Sequence, residues 1–568
     1  MRYIALASDY DGTLAHDGVV DEETIRALQR LVHSGRKLIL VTGRELPDLQ
    51  AIFPQLDLCE RVVAENGAIL YNPATREKRT LAAPPPKSFS DDLRNRGVST
   101  LSQGEVIIAT WRPFEREALE AIQHSGLELQ ITFNKDAVMI LPSGTNKKTG
   151  LCFALEELSL SSHNVIGIGD AENDHAFLEY CECSVAVANA IPSLKERADA
   201  TTEGARGAGV MELIEKLISN DASNVGAELK RHSLCIGKAE SGDVTLPSYG
   251  QNVLVCGESG GGKSTVVTGL LERIVDRHYQ ICLIDPEGDY ENLQGFQTVG
   301  DEKHAPSLEH VNQVLEAPNA QVIVNLVGVA ASDRPTYFAS SISKIQARRL
   351  QTGRPHWLVI DEAHHVLPSE WALAATAMPA EFCNLMLVSV HPGHVSPTAL
   401  RKINTVLMIG REPKTFAEEF AGCIQIGIPD MPSADLARGE VLLWSVDRKE
   451  VSVLKVDPPR ADHYRHRRKY AEGQLEPERV FHFRGPAGKT DLRAQNLNLF
   501  IQIGDGVDDE TWLFHLHKAD YSRWIADALG DKELAEEIAK TEQDSLLSAR
   551  ESRDRVRSAI LQKYTAPA

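Results

Sequence analysis

Gly257-Glu258-Ser259-Gly260-Gly261-Gly262-Lys263-Ser264-Thr265 stands near the middle of the 568-residue chain, and its reading organises the rest. The apolar run Val253-Leu254-Val255 before it reads as a buried strand. After it, Val266, Val267, Leu270, Leu271, Ile274 and Val275 recur on one face of a helix. Strand, glycine loop and helix form the setting that a phosphate-binding loop requires. Gly257, Gly260 and Gly262 let backbone N–H groups converge on phosphate oxygens, and the helix N-terminus adds a favourable dipole. In that setting Lys263 reaches the β- and γ-phosphates, Ser264 ligates Mg²⁺, and Thr265 belongs to the same nucleotide-binding stretch. A glycine-rich turn can match the pattern by chance, but the flanking strand and helix argue against it. The expected ligands are ATP and Mg²⁺.

Length and composition set the frame. A chain of 568 residues holds about three or four domains, each large enough for its own core. Apolar content of 42% and charged content of 25% are those of a globular protein. No run approaches the length of a membrane span, and Met1 to Ser8 is too short for a signal peptide before Asp9. Nine cysteines without framework spacing predict reduced thiols and a cytoplasmic protein. In Cys181-Glu182-Cys183 two buried thiols are expected rather than a metal site. The net charge of −20 does not favour indiscriminate nucleic-acid binding.

At the N-terminus, Tyr3 to Ser8 reads as a strand ending in Asp9-Tyr10-Asp11-Gly12-Thr13-Leu14. Two carboxylates, two residues apart at the end of a strand, suit phosphoryl transfer. One attacks phosphorus while its neighbour handles the proton of the leaving group. An acidic turn would look the same in isolation, and later stretches decide the matter. A second strand, Leu38-Ile39-Leu40-Val41, ends in Thr42-Gly43-Arg44, and Lys147 follows a turn-rich 142–146. A further strand, Val165-Ile166-Gly167-Ile168, ends in Gly169-Asp170-Ala171-Glu172-Asn173-Asp174.

These stretches, in this order, resemble the haloacid dehalogenase (HAD) superfamily, and within it the Cof-like class IIB phosphatases. The likeness covers residues 1–218, including Glu65-Asn66-Gly67-Ala68 and 185–190. It implies that Asp9 is the nucleophile and Asp11 the general acid and base. Thr42 and Lys147 would bind the phosphoryl group. Asp9, Asp170 and the Asp11 carbonyl would hold Mg²⁺, with Asn173 and Asp174 in support, and hard oxygen ligands suit that ion. Residues 78–140 look like the α/β cap of this class, which selects the leaving group. A small phosphorylated metabolite, a sugar phosphate or a nucleotide, is the implied substrate.

The polar stretch Ser219 to Asn224 reads as a linker, followed by an ATPase over 226–456. Its second motif is Trp357-Leu358-Val359-Ile360-Asp361-Glu362, in which Asp361 holds Mg²⁺ through water and Glu362 polarises the attacking water. With 242–247, 281–290 and 388–392, this region resembles the HerA/FtsK ring ATPases. That resemblance implies a hexameric homo-oligomer with shared active sites, His391 as a polar sensor, and Arg401 or Arg411 acting across a subunit boundary. HerA translocases carry a β-barrel before the loop, where this chain has about thirty residues. They also carry an insert between the motifs, whereas Lys263 and Asp361 are 98 positions apart. Both departures weigh against DNA translocation.

Beyond Pro458-Pro459, a basic and aromatic run from Arg460 to Tyr470 reads as an interdomain strap, with nucleic-acid binding as the alternative. Residues 478–568 read as a small helical domain whose last helix runs from about Lys532 to Tyr564. The expected architecture is α/β: a Rossmann-like HAD core with its cap, a RecA-like P-loop domain and a helical tail. Two jobs fit it. One is a metabolite phosphatase that the ATPase assembles or gates; the other is a nucleic-acid motor whose HAD domain processes phosphate ends in repair or defence.

Overall fold

A computed structural model describes the chain except residues 226–229, 259–260, 292, 372–377, 380–381, 433–435, 438, 461–478, 487–490, 530, 545 and 565–568. The basic run therefore lies outside the described residues, apart from Arg460. That residue binds Glu272 and Asp276 on the helix Lys263–Asp276.

The N-terminal unit is a Rossmann-like sheet of eight strands. Their order is Ala200–Thr201, Cys183–Ala186, Val165–Gly169, Ala5–Ser8, Lys37–Val41, Arg61–Ala64, Ile69–Asn72 and Glu77–Thr80. From Ala200–Thr201 to Arg61–Ala64 the strands run parallel, and the last two turn back antiparallel. Central strands are buried on both faces, as near-continuous apolar runs require. The parallel arrangement places Asp9, Thr42 and Asp170 at neighbouring C-terminal strand ends.

The chain leaves this sheet after Thr80 and builds a separate four-stranded antiparallel sheet. Its order is Ser102–Gln103, Ile108–Trp111, Ala137–Pro142, Leu129–Asn134, and the helices Lys87–Asn95 and Glu115–Ser125 cover it. Glu65 ties this cap to the core. Its carboxylate accepts from the backbone N–H groups of Glu105, Val106 and Ile107 at 2.9, 2.8 and 3.0 Å.

The stretch 219–224 is not a loose linker. Ser219 and Asn220 close the helix Gly207–Asn220, Asp221 pairs with Arg36, and Ala222 and Val225 are buried in the core. A polar composition hid a C-cap: Asp221 is left-handed at φ 56° and donates its N–H to Leu217.

The ATPase is built on an eleven-stranded sheet. Parallel strands run Thr405–Ile409, Asn252–Gly257, Leu385–Ser389, Trp357–Ile360, Ile281–Asp285, Gln321–Asn325 and Phe296–Val299. The antiparallel strands Glu440–Ser445, Glu450–Lys455, Leu234–Ala239 and Gly242–Leu246 extend one edge. Ahead of the phosphate loop, the strands Leu234–Ala239 and Gly242–Leu246 thus form a hairpin on this edge.

The two large sheets meet through a buried polar joint. Tyr279 donates its hydroxyl to Glu182 at 2.9 Å and stacks on His163, with 3.8 Å between ring centroids. His163 Nδ1 lies 2.6 Å from Glu182 Oε2, and its Nε2 lies 2.7 Å from the carbonyl of Arg277. Arg2 also pairs with Glu182. Burial alone would raise the Glu182 pKa, but His163 and Arg2 hold it well below the usual carboxylate range. His356 accepts from Gln280 N–H at 2.7 Å and approaches Asn164 Oδ1 at 3.2 Å, and Arg354 reaches the Ser159 carbonyl at 2.7 Å. Removing one partner of such a buried pair costs about 3–5 kcal/mol.

The C-terminal unit packs the helices Leu497–Gly506, Asp509–His517, Asp520–Trp524, Lys532–Gln543 and Ala549–Tyr564 on a hairpin of Phe481–Phe483 and Leu492–Ala494. The single last helix expected from the sequence is two. Ser548 and Glu551 form a capping box, with Ser548 N–H donating to Glu551 Oε2 at 3.0 Å, which starts a new helix at Ala549. His515 is a packing residue: it binds Asp520 at 2.8 Å and accepts from Arg484 N–H at 2.9 Å. Among the described residues no helix is long and apolar enough to cross a membrane.

Candidate active sites

Strand ends bring the N-terminal carboxylates together. Asp9, Asp170 and Asp174 are buried, and one oxygen from each lies within 4.8 Å of the others. Lys147 opens the helix Lys147–Glu157, which Asn146 caps with its side chain, and its Nζ projects between two of these carboxylates. It donates to Asp9 Oδ1 at 2.5 Å and to Asp174 Oδ1 at 2.6 Å. Lys148, beside it, lies instead over the ring of Tyr180. Burial pushes Asp9 well above the usual carboxylate pKa; Lys147 opposes this, and Asp174 and Asp170 add to it. Burial would lower Lys147, yet Asp174 and Asp9 outweigh it and raise that lysine above its ordinary value. Three clustered carboxylates of hard oxygen character match what Mg²⁺ accepts.

The surrounding residues fix this cage. Asp174 Oδ2 accepts from the backbone N–H groups of Asp170 and Ala171 at 2.8 and 2.9 Å, so Asp174 shapes the loop that presents Asp170. Asn173 reaches Asn66 at 3.0 Å. Thr42 is fully buried, and its hydroxyl accepts from Arg44 N–H at 3.1 Å. Asp11 stands at the mouth, where Arg44 clamps it with Nε to Oδ2 at 2.6 Å and a terminal nitrogen to Oδ1 at 2.8 Å. Such a bidentate fork fixes the carboxylate plane as well as its position.

Two residues of this site come to light only in the structure: Arg44, which ends the Thr42-Gly43-Arg44 stretch, and Lys135, a cap residue whose Nζ lies 2.6 Å from Asp170 Oδ2. Arg44 had a signal in its place after a buried strand. Lys135 had none, because only the docking of cap on core brings it to Asp170.

The phosphate-loop stretch lies between a strand and a helix of the second sheet. Gly257 ends its strand at φ 154°, where an added Cβ would sit 2.3 Å from the Ile409 carbonyl, so only glycine fits. Gly262, at φ 106°, precedes the helix Lys263–Asp276, and Ser264 and Thr265 lie in its first turn. Gly260 lies outside the described residues. Lys263 Nζ folds onto the loop carbonyls of Gly257 and Glu258 at 2.9 and 3.1 Å. Asp361 and Glu362 follow the strand Trp357–Ile360, both buried, with Glu362 left-handed at φ 38°.

Burial raises the Asp361 pKa well above the usual range, and Glu362, Asp285, Asp289 and Glu287 add to that rise. Asp285 itself is pushed up to about 6 by burial, against the hydrogen bonds that it accepts from the backbone of Tyr290 and Gly288. This residue, within the 281–290 stretch, ends the strand next to the one that leads into Asp361. His391 lies 3.6 Å from Glu419, while Arg401 and Arg411 are exposed.

Comparison with known proteins agrees with this division. The family described as haloacid dehalogenase-like hydrolase matches residues 6–105 and 115–214, and Helicase HerA, central domain, matches 247–327. Phosphoglycolate phosphatase 2 of Saccharolobus solfataricus is 31% identical over 236 residues, which cover 40% of this chain and 96% of that protein. Phosphoglycolate phosphatase of Methanothermobacter thermautotrophicus is 31% identical over 223 residues, covering 38% and 98%. A solved haloacid dehalogenase-like hydrolase from Bacteroides thetaiotaomicron aligns at 19% identity and a TM-score of 0.33, over 38% of this chain and 99% of its own. The chain is a hydrolase that belongs to the haloacid dehalogenase-like family, with a HerA-type ATPase domain fused behind its phosphatase domain.

Proposed function

We propose that the N-terminal domain is a Mg²⁺-dependent phosphomonoesterase for a small phosphorylated carboxylic acid of the phosphoglycolate type, and that the ATPase forms a ring that assembles or gates it. The observation that carries the reading is the buried Lys147 ammonium shared by Asp9 and Asp174, next to an Asp11 clamped by Arg44. The phosphoglycolate phosphatases that match this domain over nearly their whole length supply the substrate class.

Asp9 attacks phosphorus, and Asp11, protonated on the one oxygen that Arg44 releases as substrate binds, gives that proton to the departing alkoxide, leaving an aspartyl-phosphate on Asp9. Asp11 then takes a proton from water as that water attacks the acyl phosphate, which releases phosphate and restores Asp9. Thr42 and Lys147 hold the phosphoryl oxygens, and Arg44 keeps Asp11 in line. Asp9, Asp170 and the Asp11 carbonyl would hold Mg²⁺, which offsets the anionic charge of nucleophile and phosphate.

A panel of 2-phosphoglycolate, sugar phosphates, nucleotides and phosphorylated oligonucleotides, each with and without Mg²⁺, tests the assignment. 2-Phosphoglycolate is expected to give the highest kcat/KM, and turnover is expected to vanish with EDTA. A preference for oligonucleotide ends would overturn it. The HerA match favours one competing reading, a nucleic-acid motor, which requires ATPase activity stimulated by DNA and falling steeply with salt.

Ring assembly rests on the same match. A head-to-tail contact repeated about an axis closes into a ring when the rotation permits, and Arg401 or Arg411 of a neighbour would complete each site. Light scattering with ATP and Mg²⁺ should return a hexamer mass. A monomer that hydrolyses ATP at a specific rate independent of protein concentration would discard the ring.

A further inference from the structure

Lys135 sits at the tip of the cap hairpin, between the strands Leu129–Asn134 and Ala137–Pro142, with φ 53°. It touches the core twice. Its N–H donates to Glu172 Oε2 at 3.1 Å, and its Nζ donates to Asp170 Oδ2 at 2.6 Å. A Cβ placed on Gly12, next to Asp11, would come within 3.0 Å of the same ammonium. The cap thus delivers one positive charge to the acidic centre, and that charge stays half-exposed toward a cavity of about 320 Å³.

The walls of this cavity include Asp11, Arg44, Asn134, Lys135, Asn189 and Arg206. Its volume is at the small end for ligand pockets, so it suits a leaving group of a few heavy atoms. Arg44 is already engaged by Asp11 and Asp48. Arg206 is exposed and has no ion-pair partner among the described residues; its backbone N–H is fixed by Asn189 Oδ1 at 2.8 Å. Asn189 in turn donates to the Gly12 carbonyl at 2.8 Å, which sets Arg206 against the loop that carries Asp11. Beyond the phosphoryl group, then, the pocket presents an ammonium from the cap and a guanidinium from the core.

We infer that Lys135, with Arg206 on the wall of the same cavity, determines specificity by binding a second anionic group of the substrate, a carboxylate one or two carbons from the phosphate ester. This rests on the phosphatase reading above and adds the residues that choose the leaving group. Because Lys135 belongs to the cap, its charge reaches the substrate only when the cap lies on the core, so selection and closure are one event. A neutral polyol gives these cations no counter-ion in the pocket. A carboxylate makes charge-assisted hydrogen bonds, which are about twice as strong as neutral ones.

The test compares 2-phosphoglycolate with its neutral analogue 2-hydroxyethyl phosphate in the full-length protein, in Lys135→Met and in Lys135→Arg. In Lys135→Met the ratio of kcat/KM for the acid to that for the neutral ester should fall at least about tenfold, chiefly through KM. Lys135→Arg should recover much of that ratio, since it keeps the charge. An equal fall for both esters would overturn the inference, because Lys135 would then serve the cage and not the carboxylate. A wild-type protein that turns over both esters equally would overturn it as well, with the phosphatase itself intact. A wild-type protein that hydrolyses neither ester would remove the underlying reading and the inference together.

Discussion

Asp9→Asn is expected to lower Mg²⁺-dependent phosphate release by roughly 10³-fold or more on every substrate the phosphatase accepts. An amide has no anionic oxygen to attack phosphorus, and the remaining groups only bind and orient. The substitution is close to isosteric in a site where Asp9 is buried, and the amide oxygen can still accept from Lys147. The fold should therefore survive, and circular dichroism checks that it does. Substantial turnover in a folded Asp9→Asn protein would take the nucleophile's role away from Asp9. ATP hydrolysis measured on the same sample should be unaltered if the two sites work independently.

The second large effect lies in the ATPase. Glu362→Gln should keep ATP binding and lower hydrolysis by about 10²–10⁴-fold, the range for losing a general base. Lys263→Ala should weaken binding itself, because its ammonium is the loop's positive group for the β- and γ-phosphates. Equilibrium binding of a fluorescent ATP analogue separates the two variants, and phosphate release from ATP measures the loss. Wild-type hydrolysis by Glu362→Gln would mean that another residue orients the water. Asp285 would then be the first to consider, since its strand neighbours that of Asp361 and burial pushes its pKa to about 6.

What was legible in the sequence is what local pattern encodes. Apolar runs ending in Asp9, Thr42, Asp170, Gly257 and Asp361 marked strands whose exits carry polar groups, and parallel pairing brings those exits together. The resemblance to two families then supplied roles. What stayed hidden depends on contacts between residues far apart in the chain. Lys135 meets Asp170 only through the docked cap, and Arg2, His163, Glu182, Tyr279 and His356 form one joint across more than 350 positions. The break after Gln543 was hidden for another reason. Helical periodicity continues through 544–548, and only the Ser548–Glu551 box marks a fresh start.

That joint has a consequence for traffic between the two catalytic centres. Asn164, Glu182 and His356 directly precede a strand and Tyr279 lies two residues before one, while Asp170 and Asp361 follow a strand and Asp285 ends one. The sheets are therefore set heel to heel, and their reactive ends face away from each other. Two strands of five residues put roughly 30 Å of packed protein between the centres. Any influence of ATP on the phosphatase must then pass as a displacement of solid structure. The helix Lys263–Asp276 offers one such lever, since it starts at the phosphate loop and ends one residue before the Arg277 carbonyl that His163 holds.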